Sequence, residues 1–197
     1  MEKFPKKMKL KDGIPVILRL MMKDDGPKLL KFFQKLPAGD RLFLKDDVTD
    51  KATINRWVEQ LDYGRVLPLL AESKGEIIGN ATLHMQNCGW AMDVAEIRCV
   101  VAKKFQRKGL GTTLLGELFQ FAVDKGIRKV QAQMMEDQMG AIKVFTKLGF
   151  KKEAVFQDHV TDLEGKRHNL LIMSITVAKF WEEVEDFVSE RADRMEH

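Results

Sequence analysis

The residues best suited to chemistry are concentrated in one short stretch, FQRKGLGTTLL, at positions 105–115. Two glycines one residue apart follow a basic pair and precede two threonines, between a predicted strand and a predicted helix. The first N–H groups of a helix have no partner inside the helix, and the helix dipole places partial positive charge beside them. The stretch therefore predicts an anion site of the kind that binds a phosphate or a pyrophosphate.

The spacing of the glycines narrows the class of ligand. A P-loop needs GxxxxGK followed by Ser or Thr, and that pattern is absent here. The dinucleotide fingerprint GxGxxG needs a third glycine where this chain has Leu114. Both large nucleotide classes are disfavoured, and a tight turn with no ligand stays open as an alternative.

A second candidate is the carboxylate of Glu96, which lies in the apolar stretch VAEIRCVV at positions 94–101. A carboxylate in such a strand is costly unless it is paired or lies at a cleft. Two interpretations stay open: a base in a reaction, or a structural partner of Arg98, two residues along on the same strand face. Asp93, near the start of the strand, is a further candidate base.

The composition limits the classes of protein and partner. The chain has 197 residues, 45% of them hydrophobic and 31% charged, which favours a soluble globular domain. The net charge of +4 comes from scattered basic residues, so no nucleic-acid partner is expected. Cys88 and Cys99 form no CxxC pair and no metal site. With no signal peptide and no apolar stretch long enough to span a bilayer, we expect a cytoplasmic protein without a membrane partner.

Hydrophobic periodicity predicts an α/β fold with one mixed sheet and helices on its faces. A mobile basic arm is expected over residues 1–12, a single domain over 13–178, and a C-terminal helix over 179–197. That last helix either folds back on the domain or forms a dimer contact, so the protein is expected to be a monomer or a homodimer. The predicted strands are 16–20, 66–71, 76–85, 94–102, 129–135, 154–161 and 169–177, and the predicted helices before the tail are 24–36, 49–61, 109–124 and 137–148.

Three stretches together resemble the GCN5-related N-acetyltransferase (GNAT) family. VVAKKFQRKGLGTTLL at 100–115 resembles its acyl-CoA loop, whose pattern is Gln/Arg-x-x-Gly-x-Gly/Ala. AIKVFTKLGF at 141–150 resembles its second signature helix, and LRLM at 18–21 resembles its opening strand. The resemblance implies the GNAT fold, a mostly antiparallel central sheet flanked by helices. It also implies acetyl-CoA as cosubstrate, no metal, and an amine acceptor on a small molecule or a protein.

The resemblance also implies a set of site residues. The strand at 129–135 is expected to splay from its neighbour and leave a gap for the thioester, and Glu96 lies on a strand where some members carry a catalytic glutamate. Gln138 stands where the family usually has an asparagine before the second signature helix. The residues expected to bind the cofactor are the main chain of Cys99, Val100 and Val101, the loop Gln106, Arg107, Lys108, Gly109, Leu110 and Gly111, and also Thr112 and Gln138.

The chain departs from the family pattern at the general acid. Phe145 stands where many members have a tyrosine, and a phenyl ring cannot donate a proton. Tyr63 is the only tyrosine, and packing is favoured over an acid role for it. The departure keeps open a non-catalytic module that binds or senses acyl-CoA. Acceptor specificity is expected in the loops at 36–50, 86–92 and 158–166, near His84, His159 and His168, for which packing or a surface position is favoured.

Overall fold

One mixed sheet organises the protein. The computed structural model describes residues 4–41, 44–162 and 164–180. Within these ranges the sheet has eight strands in the order β1-β2-β3-β4-β5-β6-β8-β7. Every neighbouring pair is antiparallel except β5 and β6, which are parallel. The strands are β1 Lys6–Lys9, β2 Pro15–Leu20, β3 Val66–Ser73, β4 Glu76–His84, β5 Val94–Val101, β6 Lys129–Met135, β7 Lys151–Thr161 and β8 Arg167–Thr176.

The helices confirm the predicted order of elements between residues 13 and 178. The Asp50 side chain caps α3 by accepting hydrogen bonds from the N–H groups of Ala52 and Thr53, which fixes where that helix begins. The short helix α2 was not predicted. The helices are α1 Gly26–Gln34, α2 Ala38–Arg41, α3 Lys51–Glu59, α4 Leu110–Asp124 and α5 Met139–Lys147, with 3-10 turns at Lys23–Asp25 and Lys103–Phe105.

The core has one layer on each face of the sheet. On one face α4 packs with its buried Leu114 and Phe119 against β3, β4 and β5. Gly79 of β4 permits this approach, since a Cβ there would lie 3.2 Å from Leu114 Cδ1. On the other face α1 and α3 bury Leu29 and Ile54 in a second cluster. The sheet is therefore covered on both sides near its middle strands.

The prediction of a mobile arm over residues 1–12 is wrong for Lys6–Lys9. This segment is β1, which pairs antiparallel with β2, and the following Leu10 is buried at 4% exposure. Lys6 forms an ion pair with Glu117 of α4. The lysine-rich composition suggested a solvated tail, but an edge strand can keep lysine side chains in water while its backbone bonds to the sheet. Residues 1–3 lie outside the described ranges.

The start of the predicted C-terminal helix packs on the core. Phe180 is buried and its ring stacks on Phe119, with centroids 3.9 Å apart and an interplanar angle of 9°. The rest of that predicted helix, 181–197, lies outside the described residues. In the part of the chain that the structure describes, no helix is long and apolar enough to cross a membrane.

Candidate active site

An opening in the sheet lies between β5 and β6. Among the described residues, the pairing of these strands ends at Glu96 and Gln131, although β5 continues to Val101 and β6 to Met135. Beyond that point β5 and β6 are no longer paired with each other, so the backbone groups on their facing edges have no strand partner. The expected splaying of 129–135 from its neighbour is therefore present in the structure.

Two of the last residues of β5 direct their main-chain N–H and C=O groups into this opening. The N–H of Ala102 donates to a carbonyl of β4 at 2.9 Å. Because peptide groups alternate sides along a strand, Val100 also faces β4, whereas Cys99 and Val101 face the opening. The side-chain amide of Gln106 donates to Val101 O at 3.0 Å and joins the loop to this edge.

The glycine turn carries the chain from β5 into α4. Gly109 has a φ of +87°, in the left-handed region where glycine avoids the strain of a Cβ. Thr113 N donates to Gly109 O at 3.0 Å, and α4 begins at Leu110. Gly111 lies next to the end of β5, since a Cβ there would be 3.7 Å from Val101 Cγ2. The N-terminus of α4 is thus held beside the open edge of β5.

The N-terminal segment also reaches this turn, which sequence reasoning missed. Lys108 Nζ lies 2.7 Å from Asp12 Oδ2. The Cε of Lys11 would be 3.8 Å from a Cβ at Gly109. Lys11 and Asp12, which precede β2, therefore lie next to the glycine turn. No local sequence signal indicates this contact, because it depends on β1 pairing with β2.

Glu96 lies where β5 and β6 part, and two cations hold its carboxylate. The side chain is 15% exposed, and its Oε1 accepts hydrogen bonds from Lys45 Nζ at 2.6 Å and from Arg98 Nε at 2.7 Å. Lys45 Nζ also donates to Gln133 Oε1 of β6 at 2.7 Å. Burial raises the pKa of the Glu96 carboxyl, but the hydrogen bonds from Lys45 and Arg98 outweigh it, so this pKa lies below its ordinary value.

His84 lies directly across from Glu96 in the β4–β5 register. Its Nε2 is 2.9 Å from Thr82 Oγ1. Burial and the nearby charge of Arg98 lower the pKa of His84 to about 4, so its ring is neutral at physiological pH. We call Thr82, His84, Glu96, Arg98 and Gln133 the polar floor of the opening.

The polar floor faces the α1 and α3 side of the sheet. Val100 packs into the cluster formed by these helices, and alternation along β5 places Arg98 and Glu96 on the same face. The helix α4 packs on the opposite face. The helix α4 and the Glu96 carboxylate thus lie on opposite faces of the sheet, and the opening between β5 and β6 connects these faces.

The other candidate catalytic side chains have structural partners. Phe145 is buried and meets the Phe150 ring edge-on at 4.9 Å. The Tyr63 hydroxyl donates to Met21 O at 2.6 Å. Asp93 accepts from Arg128 at 2.7 Å, at the opposite end of β5 from the turn.

Gln138 and His168 lie near the end of β6. Gln138 Oε1 accepts from the N–H of Met135 at 2.8 Å and so ties the start of α5 to β6. His168 lies 2.9 Å from Asp137 and 2.8 Å from Asp162. Across the described residues, no group of three or more His, Cys, Asp or Glu side chains is arranged to hold a metal ion.

Comparison with known proteins places the chain in a family. A profile of the Acetyltransferase (GNAT) family matches residues 31–150, which include β3 to β6, the glycine turn and α5. The chain belongs to the GNAT family. The matched residues therefore include both strands that part at the opening and the glycine turn before α4.

The matches to curated relatives cover only part of each relative's length. YwnH of Bacillus subtilis, named provisionally as a phosphinothricin acetyltransferase, is 30% identical over 40% of this chain and 48% of its own. The L-amino acid N-acetyltransferase AaaT of Escherichia coli is 27% identical over 49% of this chain and 61% of its own. The chain thus spans about half to three fifths of the curated relatives that it matches.

Solved structures support the same fold. The yncA protein of Salmonella typhimurium, solved with its cofactor acetyl-CoA, superposes with a TM-score of 0.69. The match covers 82% of this chain and 94% of that one at 20% identity. Such a likeness concerns the fold alone.

Proposed function

We propose that the protein is an N-acetyltransferase that moves an acetyl group from acetyl-CoA to a primary amine of a small molecule or a protein by direct attack. One observation carries the proposal: β5 and β6 part at Glu96, and the glycine turn that begins α4 follows the far end of the unpaired part of β5. A candidate anion site and a candidate proton acceptor thus lie at the two ends of the unpaired part of β5, as such a reaction requires.

The residues at the α4 end suit the phosphates and the amide-bearing arm of acetyl-CoA. The helix N-terminus supplies N–H groups and partial positive charge for a pyrophosphate. The open edge of β5 supplies main-chain groups for the pantetheine arm. The proposed cofactor residues are Cys99, Val101, Gln106, Arg107, Lys108, Gly109, Leu110, Gly111, Thr112 and Gln138; the expected contact of the Val100 main chain is excluded because it faces β4. Alternation along β5 leaves Cys99 and Val101 for the strand contacts.

Glu96 is the proposed base. An amine acceptor is protonated at neutral pH, because the pKa of an alkylamine such as lysine lies near ~10.4. It must lose a proton before it can attack a thioester, and a positioned carboxylate can accept that proton directly or through water. In the resting protein the ammonium of Lys45 occupies the side of Glu96 that faces the opening. An acceptor ammonium would take its place.

Direct attack is favoured over transfer through a cysteine. Cys99 lies on β5 beside the opening, but burial raises the pKa of its thiol to about 12. The thiol is therefore protonated at neutral pH and does not supply a nucleophilic thiolate. Cys88 is exposed in the loop after β4. The CoA thiolate is a tolerable leaving group, so the reaction can proceed without the acid that Phe145 cannot provide.

A non-catalytic module that binds or senses acyl-CoA is the second candidate. It is favoured by the two cations on Glu96, which reduce its basicity, and by the phenyl ring at position 145. We also infer a cytoplasmic location from the two free cysteines, and a monomer or homodimer as the working state.

A transfer assay separates the two candidates. The purified protein would be incubated with acetyl-CoA and a panel of amino acids, polyamines and amino-terminal or lysine peptides, with detection of released thiol. Mass spectrometry would identify the acetylated amine. Thiol release that depends on one class of amine supports the enzyme. Binding of acetyl-CoA without transfer to any member of the panel supports the binding module.

A further inference from the structure

Lys45 is placed as an acceptor amine would be. It follows α2 in the loop at 36–50, one of the three loops expected to set specificity, and its side chain is 38% exposed. Its Nζ lies 2.6 Å from Glu96 Oε1 and 2.7 Å from Gln133 Oε1. Glu96 is the last residue of β5 that pairs with β6, and Gln133 lies two residues beyond its partner Gln131 on β6. The ammonium therefore bridges the two strands at the point where they separate.

We propose that Lys45 is a self-acetylation site: when no other amine occupies the opening, the protein transfers the acetyl group of acetyl-CoA to its own Lys45. This inference rests on the proposed function, since it uses the same opening and the same base. It adds an acceptor that belongs to the chain itself. The juxtaposition that carries it is the contact of Lys45 Nζ with the proposed base on one strand and with the facing strand on the other.

The step balances without a further reactant. Lys45 Nζ gives one proton to Glu96 and attacks the thioester carbonyl carbon. The new N–C bond forms as the C–S bond breaks, and the CoA sulfur leaves with the bonding electron pair and takes up a proton. The products are Nζ-acetyl-Lys45 and CoA thiol. Of the three ammonium protons, one stays on the amide nitrogen, and the other two are balanced by the proton on the CoA sulfur and one that passes from Glu96 to water.

Other lysines with described partners are placed differently. Lys31 and Lys35 pair with Glu76 at the start of β4, whereas His84, which faces Glu96, ends the same strand. Slow chemical acetylation by acetyl-CoA would reach such exposed amines as readily as Lys45. Faster labelling of Lys45 than of these lysines would therefore indicate transfer at the opening, and not chemical acetylation by free acetyl-CoA.

The test measures the position and rate of self-labelling. The protein would be incubated with ¹³C-acetyl-CoA at several protein concentrations, and proteolytic peptides would be followed by mass spectrometry. We expect Lys45 to acquire the label at least tenfold faster than Lys31 or Lys35, with a rate per molecule that does not depend on protein concentration. Glu96→Gln should slow labelling of Lys45 by roughly 10²-fold or more, as expected for the loss of a general base.

Matched variants complete the design. Lys45→Arg keeps the charge and should abolish this labelling, whereas Lys35→Arg should leave it unchanged. Labelling of Lys45 no faster than that of Lys31 or Lys35 overturns the inference, and so does an unchanged rate in Glu96→Gln. If acetyl-CoA binds and an added amine is acetylated while Lys45 stays unmodified, this inference alone fails. If acetyl-CoA does not bind, the proposed function fails with it.

Discussion

At the scale of single residues, the environment of Glu96 decides how it can act. Burial favours the neutral acid, whereas hydrogen bonds from Lys45 and Arg98 favour the carboxylate. As long as both cations remain, Glu96 is a weak proton acceptor. Departure of the Lys45 ammonium would leave a half-buried carboxylate with one partner and would raise its pKa, which suits a base.

Replacement of Glu96 tests this role. Glu96→Gln keeps the shape of the side chain but removes the proton acceptor, so we expect kcat to fall by roughly 10²–10⁴-fold. The Kd for acetyl-CoA should stay unchanged, because the proposed cofactor contacts lie at the other end of the opening. Steady-state thiol release and calorimetry would measure the two quantities.

Glu72→Gln is the control for this experiment. Glu72 is an ion-paired carboxylate of the same sheet, 2.8 Å from Arg19, but it lies on β3 and away from the opening. Its replacement should leave kcat unchanged. Wild-type turnover in Glu96→Gln would remove Glu96 as the base and leave its pairing with Arg98 as its role.

His168 predicts a pH dependence of stability. The hydrogen bond to Asp162 and the charge of Asp137 raise the pKa of His168 above its ordinary value. A group whose pKa is raised by folding stabilises the fold fully below its unfolded pKa of ~6.5, and this contribution is lost as pH rises through the folded pKa. The Tm of the wild type should therefore fall more steeply above about pH 6.5 than the Tm of His168→Gln, in melts recorded across that range.

The exposed His159 of the same hairpin provides the comparison. His159→Gln should keep the pH slope of the wild type. Equal slopes for the wild type and His168→Gln would contradict the proposed contribution of the His168 ion pairs.

The sequence predicted the polar floor only in part. The pairing of Glu96 with Arg98 follows from their spacing on one strand, and the structure confirms it. Lys45 could not be predicted, because it reaches Glu96 from a loop 51 residues away with no periodicity of its own. The position of His84 opposite Glu96 depends on the β4–β5 register, which local sequence patterns do not determine.

At the scale of elements, the segment that follows β1 contacts the glycine turn. Strand and helix periodicity predicted β2 to β8 and the main helices, because each buries an apolar face that the sequence displays. It did not predict β1, because the lysines of this strand suggested a solvated tail and not a strand paired with β2. This segment places Lys11 next to Gly109, in the turn that we propose as the cofactor site.

Charge reversal at Lys11 tests this contact. An anion bound at the turn would be attracted to the Lys11 ammonium, so Lys11→Glu should raise the Kd for acetyl-CoA by about tenfold at low salt. The difference should shrink as salt increases. Lys7→Glu makes the same change on an exposed position of β1 and should bind almost as the wild type does. Equal affinities for Lys11→Glu and Lys7→Glu at low salt would exclude Lys11 from the anion site.

At the scale of the whole molecule, α4 joins the glycine turn to the core. Phe119 of α4 is fully buried, meets Phe150 at 5.7 Å and stacks on Phe180 at 3.9 Å. It therefore connects the helix that begins at the glycine turn with both the end of α5 and the start of the C-terminal segment. The family profile covers residues 31–150, so it includes this helix and excludes the contact with Phe180.

Removal of the Phe119 ring should destabilise the whole domain. Phe119→Ala leaves a cavity among aromatic rings, and we expect the free energy of unfolding to fall by about 3–5 kcal/mol in denaturant titrations. Phe156, on β7, is 44% exposed, and Phe156→Ala should cost about 1 kcal/mol or less. Similar losses for the two variants would show that Phe119 does not anchor the core.

The central claim is that the turn at 106–112 binds acetyl-CoA, and a matched pair of glycine variants tests it most directly. Gly111→Glu places a carboxylate at the N-terminus of α4 on a backbone without positive φ, whereas a change at Gly109, with its φ of +87°, would also strain the fold. Gly116→Glu makes the same change farther along α4, where a Cβ meets no atom within 4 Å. In calorimetric titrations with acetyl-CoA, the account predicts binding by the wild type and Gly116→Glu and its loss in Gly111→Glu. Equal binding by all three folded proteins, or no binding by the wild type, would contradict it.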